Sequence, residues 1–107
     1  DHIGIYSGRD ENKFEKLGLT AVGSTLVNAP YIAEFPLVIE CHLRQTIKIG
    51  VHTQFIGEIA DVKANEDVFD ANGMIDPVKV APFSFAPTNR GYYALGELIG
   101  TAFNIGK

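Results

Sequence analysis

Side chains able to do chemistry are sparse in this sequence, and the densest set follows a glycine. Gly50-Val51-His52-Thr53-Gln54-Phe55 places an imidazole, a hydroxyl, an amide and an aromatic ring in succession. An imidazole titrates near neutrality, so His52 could donate a hydrogen bond to a bound group or relay a proton. A turn histidine in solvent is the plain alternative. Thr53 and Gln54 could hydrogen-bond a ligand or simply face water, and Phe55 is expected in the core. Tyr92 and Tyr93 point to opposite faces if extended, so at most one can cover a ligand while the other packs. Ser7-Gly8-Arg9 forms a turn ahead of a helix start, where backbone N–H groups suit an anion. A capped helix is the simpler reading there.

His2, Cys41, His42 and His52 raise the question of a metal. Adjacent Cys41 and His42 point to opposite faces of a strand, and a zinc site needs three or four convergent ligands, so no metal is expected. Cys41 falls on an apolar parity and is expected as a buried thiol. The sequence contains no nucleophile elbow, P-loop or dinucleotide-binding glycine fingerprint.

The elements that must position these residues can be read in order. Ser7-Gly8 reads as a turn, and Arg9 to Gly18 as a short helix capped by Ser7 or Asp10 and stopped by Gly18. Its apolar stripe is only Phe14 and Leu17, which makes it a satellite. Leu19 to Val27 is β-prone but short. Pro30 and Pro36 bracket an irregular or edge segment, because proline cannot donate to a sheet ladder.

Leu37 to Ile49 is the clearest strand. Leu37, Ile39, Cys41, Leu43, Ile47 and Ile49 share one parity, while Glu40, His42, Arg44, Thr46 and Lys48 share the other. That alternation predicts a strand with one face in the core and one nearer water. Val51 to Val62 is a second extended run whose apolar phase changes at Gly57, which predicts a bulge or a close backbone approach there. Two long strands joined at Gly50 suit a curved sheet or barrel.

Beyond Lys63 the chain turns polar. Asn65-Glu66-Asp67 can start a helical turn through Val68-Phe69, Asp70-Ala71-Asn72-Gly73 is a turn signal, and Asp76-Pro77 opens a short helix. Phe83-Ser84-Phe85 is extended. The tail carries glycines at 91, 96, 100 and 106, too many for a stable helix, and is expected to pack against other surface. Only two long strands emerge, and a lone hairpin is marginal. A sheet partner is expected, either an N-terminal portion of the chain or another subunit.

The bulk properties set outer limits. At 107 residues and 46% hydrophobic content, the chain is one globular domain at most. A net charge of −4 argues against a nucleic-acid partner. No apolar run approaches the ~20 residues of a membrane helix. A single cysteine cannot form an intrachain disulfide, so a cytoplasmic setting is the default expectation.

Several stretches, in order, resemble the flavoredoxin and wider flavin reductase-like family. They are Tyr6-Ser7-Gly8-Arg9-Asp10 to Phe14, Gly18-Leu19-Thr20, Ala29-Pro30-Tyr31-Ile32 to Cys41, Gly50 to Ile59, and Tyr92 to Lys107. The resemblance implies a mainly β, split β-barrel fold with short peripheral helices, FMN as cofactor, and a homodimer with flavin near the subunit interface. It further implies that residues 1–107 are the C-terminal portion of a single FMN-binding domain, incomplete at the N-terminus. His52 would be the catalytic candidate at the flavin rim, with Ser7, Gly8, Arg9, Thr53, Tyr92 and Tyr93 as further cofactor-binding candidates. The implied role is flavin reductase or flavoredoxin-like electron transfer, an FMN-dependent oxidoreductase activity. The alternative is a non-catalytic split-barrel module for dimerisation or ligand binding. Many flavin reductases carry Gly-Asp-His at this hairpin, associated with the nicotinamide donor. Val51 stands where the acid would be, which favours a redox protein partner over direct NAD(P)H use.

Overall fold

The alternating run Leu37–Ile49 forms the strand its pattern predicts. In the computed structural model, which describes residues 1–107, it is β3 (Leu37–Ile49), paired antiparallel with β4 (His52–Ala64). Two shorter antiparallel pairs accompany it: β1 (Ala21–Gly23) with β2 (Pro30–Ile32), and β5 (Phe83–Ala86) with β6 (Gly91–Ala94). The chain divides into two units, residues 1–64 and 65–107.

The first unit opens on a helix the sequence does not announce, α1 (His2–Ile5). It is tied down from outside: His2 Nε2 lies 2.5 Å from Glu11 Oε1, and Lys13 Nζ donates to Ile3 O at 2.5 Å. The satellite helix is shorter than expected, α2 (Lys13–Leu17), and its cap is Asn12, not Ser7 or Asp10. Asn12 Oδ1 accepts from Phe14 N, while the Ser7–Asp10 stretch makes its own turn through Asp10 N to Ser7 O. An Asx cap two residues from the first free amide outcompetes groups further upstream. Pro30 takes the first position of edge strand β2, where no ladder donor is needed.

The β3–β4 hairpin turns through Gly50 and Val51, closed by the pair Ile49 and His52. Gly50 has φ +58 and is the only central residue with positive φ, the pattern of a type II′ turn. Two register shifts interrupt the ladder. Ala60 is the extra residue between the pairs Glu40–Asp61 and Cys41–Ile59, and Arg44 is extra between Leu43–Gly57 and Gln45–Ile56. Gly57 therefore sits beside a bulge, as its phase change predicts. A Cβ built there would lie 2.9 Å from Cys41 Cβ, so only glycine fits.

Burial departs from the expected pattern. Ile39, Leu43, Ile49 and Ile59 are all more than half exposed, and so is Phe55, which is therefore not core. Cys41 is likewise an exposed thiol and not a buried one. The expected single apolar face also breaks: Ile39, Cys41 and Leu43 share one face with Ile59 and Phe55, whereas the extra residue Arg44 turns Ile47 and Ile49 to the face of Glu40. The buried residue of the hairpin is instead Glu40, from the polar parity, at 2% exposure.

In the second unit, the 3-10 turn Glu66–Val68 precedes a tight loop and then α3 (Pro77–Val80), which Asp76 caps through Val78 N. Asp70 organises the loop: its Oδ1 accepts from Asn72 N and Met74 N. Asp76 N donates to Val68 O, and Lys79 Nζ to Phe69 O, closing α3 back onto the turn around buried Val68. The tail is not helical, as its glycines require, but its expected packing is not realised: Leu98, Ile99 and Phe103 stand largely exposed.

Candidate functional site

His52 and Thr53 begin β4 directly after the turn, paired with Ile49 and Lys48. Both are exposed. The type II′ turn fixes them at the hairpin end, and strand alternation sends their side chains to opposite faces. Neither has a side-chain hydrogen bond, so the imidazole is available to an external acceptor or donor. Val51 projects at the tip, 96% exposed. The turn itself therefore carries no charge, and the nearest cation is exposed Lys48, opposite Thr53.

The Ser7-Gly8-Arg9 turn presents a different surface. Ser7 Oγ accepts from Arg9 N at 3.2 Å and so stabilises the turn itself. The Arg9 guanidinium takes part in no ion pair. A concavity lined by residues 8–14 adjoins it and contains Arg9 and Lys13 together with Asp10 and Glu11. Lys13 is already committed to Ile3 O, which leaves Arg9 as the free cation. No hydrogen bond or ion pair connects this turn to the hairpin tip.

Tyr92 and Tyr93 separate as expected for adjacent strand residues. Tyr92 packs against Phe83 edge-on at 5.4 Å between centroids and against Phe85 at 5.3 Å. Tyr93 takes the other face, where its hydroxyl pairs with Asn89 Nδ2. Tyr92 thus belongs to a half-exposed aromatic cluster able to stack on a planar group. The predicted residues consequently form three local groups: His52 with Thr53, the Ser7–Arg9 turn, and the Tyr92 cluster.

Sequence reasoning missed the most buried charge. Glu40 accepts from Thr25 N at 3.2 Å and Leu26 N at 3.0 Å, and Lys63 Nζ lies 2.6 Å from its Oε1. The Lys63 hydrogen bond, then the Leu26 N–H, hold the Glu40 carboxyl below its ordinary value despite desolvation. Lys63 is raised, chiefly by its hydrogen bond to Asp61 and then by that to Glu40. The only available signal was an acid placed inside an apolar run. Its partners lie more than a dozen residues away in sequence, so no local pattern could pair them.

Comparison with known proteins places the chain in a family. Residues 1–93 match the family described as flavin reductase like domain. Flavoredoxin of Desulfovibrio vulgaris (Miyazaki F) is 51% identical with a TM-score of 0.90, covering 100% of this chain and 57% of that one. Flavoredoxin from Methanosarcina acetivorans is 27% identical with a TM-score of 0.86, covering 100% of this chain and 56% of that one. An uncharacterized protein of Archaeoglobus fulgidus is 46% identical over 59 residues, which are 55% of this chain and 33% of that protein. The chain therefore spans between a third and somewhat over half of the length of these relatives. Its mainly β architecture with short helices is that of the flavin reductase-like split barrels. The chain belongs to the flavin reductase-like domain family.

Proposed function

We propose that this chain is part of an FMN-binding flavoprotein that transfers electrons in the manner of a flavoredoxin. The observation that carries the reading is 51% identity to a flavoredoxin across the whole of this chain. The residues present suit such a cofactor in kind. An uncommitted guanidinium at Arg9, beside a concavity, matches an anionic phosphate group. His52, without an internal partner, can hydrogen-bond a ring edge.

A bound flavin would supply the redox chemistry itself. The protein's part would be to hold the phosphate through Arg9 and the turn of Ser7 and Gly8. His52 would carry or donate a proton at its ring nitrogens, and Thr53 would add a hydroxyl beside it. Without an acid at position 51, a redox protein is the favoured electron donor and NAD(P)H the disfavoured one. A homodimer completes the reading, because the exposed apolar face of β3–β4 needs a cover.

The test is direct. Protein titrated with FMN should develop protein-perturbed flavin absorbance that bleaches on dithionite addition, with His52→Ala weakening binding or slowing reduction. Protein that leaves the FMN spectrum unperturbed would overturn the proposal. Unchanged affinity and reduction rate in His52→Ala would remove that residue from the site.

A further inference from the structure

Glu40 lies in a strand whose other side chains are mostly exposed, yet its own side chain is only 1% exposed. Both carboxylate oxygens are spent on the loop between β1 and β2: Oε1 accepts from Thr25 N and Oε2 from Leu26 N. These bonds pin the segment Ser24–Ala29 onto β3. The loop supplies Ser24 and Val27 to one wall of a groove of about 350 Å³, whose other lining includes Tyr31, Phe35, Val38 and Cys41.

The charges around Glu40 are unevenly matched. The bulge at Ala60 sets Asp61 directly opposite Glu40, and like charges so placed repel. Lys63 answers both, 2.6 Å from Glu40 Oε1 and 2.5 Å from Asp61 Oδ2. Next along the same face of β3 is His42, paired with Glu58. The loop itself brings no charge at Thr25 or Leu26. One ammonium therefore serves two carboxylates, and the bonds to the loop depend on Glu40 remaining ionised.

We propose that Glu40 is a charge-operated latch: ionised, it holds the Ser24–Ala29 loop against the β3–β4 hairpin as a wall of the groove, and protonated, it releases that loop. Lys63 sets the pH at which this happens. Glu40 is held below its ordinary value, so the latch is fully closed above the ordinary glutamate range. It opens only as pH falls through the lowered value. Taking Lys63 away leaves Glu40 facing Asp61 alone, so the opening shifts upward.

The experiment is residue-resolved amide hydrogen exchange on the protein across pH, expressed as protection factors. Thr25 and Leu26 report the loop, and the ladder amides of Ile47 and Gln54 report the hairpin. Glu40→Gln should lower protection at Thr25 and Leu26 at least about tenfold at neutral pH, with the hairpin amides unchanged. It should also abolish the acid step at those two amides. Lys63→Met should move that step upward by roughly one pH unit or more. The proposal is overturned if Thr25 and Leu26 stay protected in Glu40→Gln, or if the acid step survives in it. Parallel loss of protection in the hairpin would overturn it too, since the carboxylate would then hold the fold and not the loop.

Discussion

At the residue scale, the sequence was most legible where backbone geometry dictates a residue type. Gly57 was singled out by a phase change in the apolar pattern, and it proves to be where Cys41 leaves no room for a Cβ, 2.9 Å away. Gly57→Ala is therefore expected to destabilise the protein by about 1–3 kcal/mol, as overpacking does. Because the clash is with a Cβ, Cys41→Ala should not relieve it, whereas Cys41→Gly should. A urea-unfolding double-mutant cycle should show the Gly57→Ala and Cys41→Gly effects coupled by at least about 0.5 kcal/mol. Additive effects would mean the two atoms do not meet. Side-chain roles were less legible. His52 and Thr53 were located correctly at the hairpin end. Phe55 and Cys41, assigned to the core by parity, are exposed, because parity names a face and not what covers it.

At the element scale, strand β3 begins and ends where its alternation does, and the turn at Gly50 follows from glycine's access to positive φ. The short helices were harder. α1 has four residues and no apolar stripe, and it exists through the His2–Glu11 and Lys13–Ile3 contacts that sequence periodicity cannot register. In the second unit, a side chain stands in for a ladder: Asp70 gathers the amides of Asn72 and Met74, and the Met74 N–H contributes most to holding its carboxyl below the ordinary value. A lowered carboxyl pKa gives stability that is present above the unfolded value and lost as pH falls through the folded one. Asp70→Ala should therefore cost the loop its amide protection at Asn72 and Met74 at neutral pH. In the unsubstituted protein the same protection should fade only in acid, below the ordinary aspartate range. Exchange at these two amides that is unaltered by Asp70→Ala would show the loop to be held by its backbone bonds, Asp70 N to Met74 O and Gly73 N to Asp70 O.

At the scale of the whole molecule, the β3–β4 hairpin is a two-stranded sheet, and the chain's exposed area is large for its mass. The chain exposes 9079 Å², whereas a folded monomer of 11.6 kDa exposes about 5,800 Å² by the usual mass scaling. Part of the exposed apolar surface lies on one face of the hairpin. Register pairs Ile39 with Val62 and Cys41 with Ile59, with Leu43 next along, so these side chains share one face of the hairpin. Ile39, Leu43, Ile59 and Val62 are each at least 46% exposed. Patches of this kind are seldom left to water in a monomer. On the homodimer reading, the protein should sediment as a dimer at micromolar concentration. Ile59→Asp, placing a charge at the centre of that face, should shift the equilibrium toward monomer by at least tenfold in dissociation constant, as burying an unpaired charge requires. His52→Ala at the hairpin end should leave the mass unchanged, which separates assembly from cofactor chemistry. A protein monomeric at those concentrations, or a dimer indifferent to Ile59→Asp, would mean that a second copy does not cover this face.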